Sequence, residues 1–110
     1  MNFDDYQKQA LTTAVRSGND LLDLCHWALG ITGEGGEIAE KVKKIIRDQN
    51  STMTDEKKTE IAKEIGDVLW YLAVLADTLG VSLGDLAQAN IDKLKSRQSR
   101  GKISGSGDNR

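Results

Sequence analysis

Proline is absent from the 110 residues, and cysteine and histidine occur once each. With no proline, 38% hydrophobic and 29% charged residues, the composition favours a soluble all-α protein of one domain. The lone Cys25 excludes an internal disulfide and fits a reducing cytosol. It lies in an apolar stripe and reads as packing. The lone His26 excludes a histidine-rich metal site. No run approaches the ~18 apolar residues of a membrane span. The opening M-N-F-D-D-Y is acidic, unlike a signal peptide, so a cytoplasmic protein with no membrane partner is expected. A net charge of −2 and a pI near 5.3 leave no basic field for a long nucleic acid. A phosphate loop of the G-x-x-x-x-G-K-[ST] kind is missing as well.

What is present reads as four helices. The first spans about Asp4 to Arg16 and stops at Ser17-Gly18-Asn19. The second spans about Asp20 to Asp48. Leu21, Leu24, Ala28, Ile31, Gly35, Ile38, Val42 and Ile45 form an apolar stripe along it, at steps of three and four. Gly30, Gly33, Gly35 and Gly36 interrupt it, each costing roughly 1 kcal/mol relative to alanine. They predict a kink or break near Gly33, and a group that approaches the backbone closely. After a polar loop, Thr54 or Asp55 caps a third helix that runs to Leu79, with Gly80 as terminator. Its stretch Val68–Ala76 is apolar nearly all round and must be covered on most sides. Ser82 and Asp85 resemble a capping box opening a fourth helix to about Arg97. Residues 1–98 therefore form a four-helix-bundle-like domain, and residues 99–110 a Gly/Ser-rich tail. So small a chain buries a modest fraction of its surface, and a partner subunit would supply the missing cover.

Two carboxylate pairs carry the chemistry: Glu34 with Glu37, and Glu64 with Asp67. Residues three apart share a helix face, roughly 5–6 Å between Cβ atoms. If the second and third helices pack together, four acids meet. They would repel unless hard divalent cations, magnesium or manganese, sit among them. The rival reading is a solvated acidic surface, in which the chain is only a helical dimerisation module. Asp67 weighs against it, because it stands at the mouth of the most apolar run, where an unpaired charge is expensive.

Beside the apolar stripe, the second helix carries the line Trp27, Gly30, Glu34, Glu37, Lys41, Lys44, Asp48. Acids followed by lysines suit a phosphate chain with its metals. The third helix repeats the pattern with Glu60, Glu64, Asp67 and Tyr71. Trp27 reads either as core or as a platform for a nucleobase. Asn90 reads as a ligand contact or as a helix-register or inter-subunit hydrogen bond. Lys93 and Arg97 lie on the neighbouring line of the fourth helix.

These residues resemble the MazG-type all-α nucleoside triphosphate pyrophosphohydrolases, whose pattern is E-E-x-x-E, a gap, then E-x-x-D. The first block aligns with Gly33-Glu34-Gly35-Gly36-Glu37 and the second with Glu64-Ile65-Gly66-Asp67, with 26 residues between Glu37 and Glu64. G-D-V-L-W-Y at 66–71 and N-I-D-K-L at 90–94 add to the likeness, which covers roughly residues 20–97. The opening D-Y-Q and the ending G-S-G-D-N-R look like a small single-domain group that includes phage members. Gly33 departs from the pattern, standing where the family has a glutamate. Glu40 is one turn past Glu37 but rotated away from Glu34.

The resemblance implies Mg²⁺-dependent hydrolysis of nucleoside triphosphates, deoxynucleotides foremost, to monophosphate and pyrophosphate. The alternative the resemblance leaves open for this chain is a related pyrophosphohydrolase of the same helical plan, acting on phosphoribosyl-ATP or an alarmone. It further implies metal held by Glu34, Glu37, Glu64 and Asp67, with Mn²⁺ as a substitute, and water activation by Glu34 or Glu37. Trp27, Lys44, Tyr71, Asn90, Lys93 and Arg97 would bind the nucleotide, some of them from a neighbouring subunit of a homodimer or homotetramer. Gly105, Gly107 and Asp108 would fold over bound nucleotide with Arg110 near the phosphates, or else the tail is a free solvated end.

Overall fold

Asn2 opens the first helix of the computed structural model, which describes all 110 residues. Its side chain accepts the Asp5 N–H at 2.8 Å while Asp5 reaches back to the Asn2 N–H, a complete capping box. This helix, α1, spans Phe3–Leu11 and ends earlier than expected. Thr12 and Thr13 turn their hydroxyls onto the carbonyls of Gln9 and Ala10 at 2.6 and 2.9 Å, offering the backbone an alternative to another turn.

α2 spans Asp20–Asp48 and is capped by Asn19. It runs without a break, so the expected interruption near Gly33 does not occur; none of its glycines leaves the right-handed region. α3 spans Asp55–Thr78 and is capped by Thr54. Its end is a Schellman turn: Gly80, at φ +74°, donates to Asp77 O at 2.8 Å and Val81 donates to Ala76 O at 2.9 Å. α4 spans Leu83–Ser99. Ser82 caps it by accepting the Asp85 N–H at 3.1 Å. Asp4 of α1 reinforces this end, accepting from the Ser82 hydroxyl and the Gly84 N–H at 2.7 and 2.9 Å.

The four helices, with no strand, make an all-α fold. α2 and α3 form a long antiparallel hairpin, because Trp27 meets Thr78 at one end and Lys41 meets Glu64 at the other. α1 lies along α3, and α4 turns away from α3 by 100°. Gln7 ties these pieces together from inside. Its amide donates to Ala73 O and Val81 O at 3.1 and 3.2 Å, and its carbonyl accepts the Leu83 N–H at 3.0 Å. A small core of Ala10, Ala73 and Leu83 lies there, edged by Tyr6, Leu69 and Trp70.

α2 buries only part of its apolar stripe and turns the neighbouring Trp27 line inward as well. Asp23, Trp27 and Ile45 are its buried residues, whereas Leu21 and Val42 of the stripe are exposed. Cys25, expected in packing, is exposed too. The two lines are separated by less than a turn, and the seam with α3 takes in residues of both. α2 and α4 do not touch, so the bundle stays open on one side. The radius of gyration is 17.0 Å, against about 13 Å for a compact chain of this length. The accessible surface is 7692 Å², against roughly 6,000 Å² for a compact monomer of this mass. No single helix is long and apolar enough to cross a membrane.

Candidate metal centre

Trp27 sets the register of the α2–α3 seam. It is 2% exposed, and its indole N–H donates to the Thr78 hydroxyl at 3.0 Å. Trp70 meets it edge-on at 5.8 Å and Tyr71 lies tilted at 6.3 Å. The structure thus places the Trp27 indole in the core, the first of its two readings, with no open face toward solvent. Glu34 lies two turns further along the same face of α2, so burying the indole carries Glu34 into the seam. One turn after Trp27, Gly30 lies against Tyr71, whose ring occupies the space of any Cβ there. This is the close approach that the glycines predicted. Gly33, Gly35 and Gly36 face open space.

From the opposite helix come Glu64 and Asp67. One carboxylate oxygen from each of Glu34, Glu64 and Asp67 lies within 4.8 Å of the other two. Glu34 and Glu64 are half-buried and Asp67 is exposed. The Glu34 carboxyl is held above its ordinary range, first by a hydrogen bond with Glu64, then by desolvation, then by the charges of Asp67, Glu64 and Glu37. Carboxylates brought this close repel one another and form an oxygen-donor cluster that a hard divalent cation would relieve.

Glu37 stands outside this trio, exposed one turn along α2. Glu40 turns away, pairing with Lys43 and Lys44 at 2.8 and 3.6 Å, so it does not replace the carboxylate missing at Gly33. Lys44 is thus directed to Glu40. The lysine that reaches the acids is Lys41, whose Nζ lies 3.4 Å from Glu64. Its place on the line of Glu34 and Glu37 signalled this. Tyr6 of α1 was not foreseen: burial raises its phenol first, and the charge of Asp67 adds to that. Nothing in sequence spacing relates α1 to Asp67.

Asn90, Lys93 and Arg97 lie on α4, which makes no contact with α2. Asn90 is exposed at the end of an apolar groove that includes Leu72, Leu79 and Leu86. Lys93 and Arg97 both meet Asp108 of the tail. Arg110 faces inward, donating to Lys102 O, Ile103 O and Gly107 O. The tail is therefore neither free nor laid over the acids of its own chain.

The profile of the MazG nucleotide pyrophosphohydrolase domain matches residues 26–101. The gene 37 protein of Mycobacterium phage L5 is 46% identical over 114 aligned positions that span the whole of both chains. The YvdC protein of Bacillus subtilis (strain 168) is 41% identical over 69 positions, 58% of this chain and 65% of the other. No solved structure matches.

Proposed function

The chain belongs to the MazG nucleotide pyrophosphohydrolase family, and from that premise we propose that it hydrolyses nucleoside triphosphates, deoxynucleotides foremost, to monophosphate and pyrophosphate. The observation that carries this reading is the convergence of Glu34, Glu64 and Asp67 across the α2–α3 seam.

The donor set fits Mg²⁺, with Mn²⁺ as a substitute: three carboxylates, no sulfur, no imidazole, and one acid already pushed toward its neutral form. When bound there, the ion would neutralise phosphate oxygens and acidify a water molecule. Glu37, free of the trio and one turn away, would take the proton of the attacking water. Water oxygen then bonds to the α-phosphorus, and the bridging oxygen leaves with pyrophosphate. Lys41, beside Glu64, would face the phosphate chain, joined by Lys44 at the rim. Tyr71, half-buried beside Gly30, would wall the site below the nucleotide.

The open side of the bundle and the excess surface favour a homodimer or homotetramer. In that assembly, Asn90, Lys93 and Arg97 of one protomer would approach the acids of another. A nucleotide enzyme of this kind would work in the cytoplasm of a bacterium or an infected host.

Incubation with a panel of ribo- and deoxynucleoside triphosphates and Mg²⁺, followed by pyrophosphate detection, tests the reading. Product that disappears in Glu37→Gln and Asp67→Asn is the expected result. No pyrophosphate from any nucleotide, with no Mg²⁺ heat in calorimetry, would leave a helical dimerisation module instead. Light scattering on the same sample gives the subunit number.

A further inference from the structure

Arg97 is an anomaly on α4. Its residue exposure is 6%, and its Nε has no hydrogen-bond partner. A buried guanidinium with donors to spare is expensive unless an anion completes it. What it meets is Asp108. Arg97 Nη2 donates to the Asp108 main-chain carbonyl and lies 3.4 Å from Asp108 Oδ1. The same oxygen accepts from Lys93 Nζ at 3.0 Å. A single carboxylate oxygen thus serves two cations. The Asp108 side chain is 81% exposed, so the anion on this pair is open to exchange. These contacts, that from Lys93 first, hold the Asp108 carboxyl below its ordinary value.

The segment that delivers Asp108 is a folded strap. Gly101, Gly105 and Gly107 take positive φ values of 67°, 118° and 89°, turning the chain back along α4. Arg110 then closes the loop on the carbonyls of Lys102, Gly107 and Ile103 at 3.1, 2.7 and 2.9 Å. From Lys93 onward the chain carries six Lys and Arg and one acid, while the whole chain is at −2. A strongly cationic end is therefore neutralised at its most buried charge by one exposed carboxylate.

We propose that Asp108 is an internal competitor that occupies the Lys93–Arg97 pair, already assigned to the nucleotide in the reading above, in the absence of ligand, so that residues 100–110 are a displaceable strap. This rests on the nucleotide reading above for the identity of the anion. A triphosphate presents more oxygens and more charge than one carboxylate. It would satisfy the Arg97 donors that Asp108 leaves unused. An exposed ion pair contributes little by itself and is readily exchanged.

The test is calorimetric titration of the full chain with inorganic tripolyphosphate, in chelator and low salt. Asp108→Asn is expected to bind it on the order of fivefold more tightly than the unmodified chain, since the internal competitor is neutral. Adding Lys93→Gln, at a half-exposed position, is expected to cancel that gain without disturbing buried Arg97. Unchanged or weaker binding by Asp108→Asn overturns the proposal, and so does a gain that survives Lys93→Gln. The measurement needs neither turnover nor metal. A chain that hydrolyses no nucleotide would still report on the strap, and a strap that fails would leave hydrolysis untouched.

Discussion

The ring of Tyr71 lies in the space that a side chain at Gly30 would fill. This contact fixes how closely α2 and α3 approach, one turn from Glu34 and one turn from Asp67. Gly30→Ala gains about 1 kcal/mol of helix propensity, but overpacking costs about 1–3 kcal/mol. A net loss of about 1 kcal/mol is expected in urea denaturation, with a larger drop in Mg²⁺ affinity as the acids are pushed apart. Tyr71→Ala in the same chain should cancel the added cost of the new methyl, because the obstructing ring is gone. An additive double variant would mean that the two residues do not meet.

The glycine-rich run announced a close approach, yet only Gly30 of its four glycines has a neighbour where the Cβ would be. Spacing tells which residues share a face; it does not tell which face the next helix chooses. The same gap explains Trp27. Its line and the apolar stripe both repeat at three and four, and the seam takes Trp27 from one and Ile45 from the other, leaving Leu21 and Cys25 outside. The acid pairs were legible because i to i+3 fixes their direction within one helix. That Glu37 would fall outside the trio was not, since it depends on the angle between helices. The α2 boundaries were legible from the Ser17-Gly18-Asn19 break before it and from the polar run after Asp48. The early stop of α1 depends on two threonine hydroxyls returning to the backbone. The Asp108 contacts depend on three consecutive glycine turns, whose handedness no spacing encodes.

Gln7 is the one buried amide joining α1, α3 and the entry to α4. Gln7→Leu keeps much of the volume and strands two carbonyls and one N–H. A loss of about 2–4 kcal/mol is expected in chemical denaturation, above the usual value for a single neutral hydrogen bond. Gln7→Glu should be comparably unstable at neutral pH, because a carboxylate cannot donate to Ala73 O and Val81 O. It should recover partly in acid, when the carboxyl regains one proton to donate. A loss below 1 kcal/mol for Gln7→Leu, about that of an exposed hydrogen bond, would contradict this role.

Asp4 gives the fold an acid-sensitive joint. The Ser82 hydroxyl, then the Gly84 N–H, hold its carboxyl below the ordinary 3.8. A carboxyl lowered on folding stabilises the fold above its unfolded value and loses that contribution as pH falls through the folded one. The thermal midpoint should therefore drop as pH is taken below 3.8, and Asp4→Asn should flatten that part of the profile. Gly84→Ala should flatten it too, since its Cβ would lie 2.8 Å from Asp4 Oδ1 and drive the carboxylate off. Parallel pH profiles for all three chains would place the acid sensitivity elsewhere.

Glu34 distinguishes a metal centre from an acidic surface by the sign of its effect. In chelator, its carboxyl is strained by Glu64 and by like charges on Asp67 and Glu37. Glu34→Gln removes one of those charges while keeping the shape, so the metal-free variant should be at least as stable as the unmodified chain. Magnesium reverses the order. A ligand at ten times its Kd adds about 1.4 kcal/mol to the folded state, which raises Tm by roughly 5 °C in a domain of this size. That rise should be clear in the unmodified chain and largely absent in Glu34→Gln. Differential scanning fluorimetry in chelator and in Mg²⁺ measures both halves. If the variant is the less stable one in chelator and responds to Mg²⁺ equally, Glu34 is serving an ion pair with a lysine such as Lys41, and the trio holds no cation.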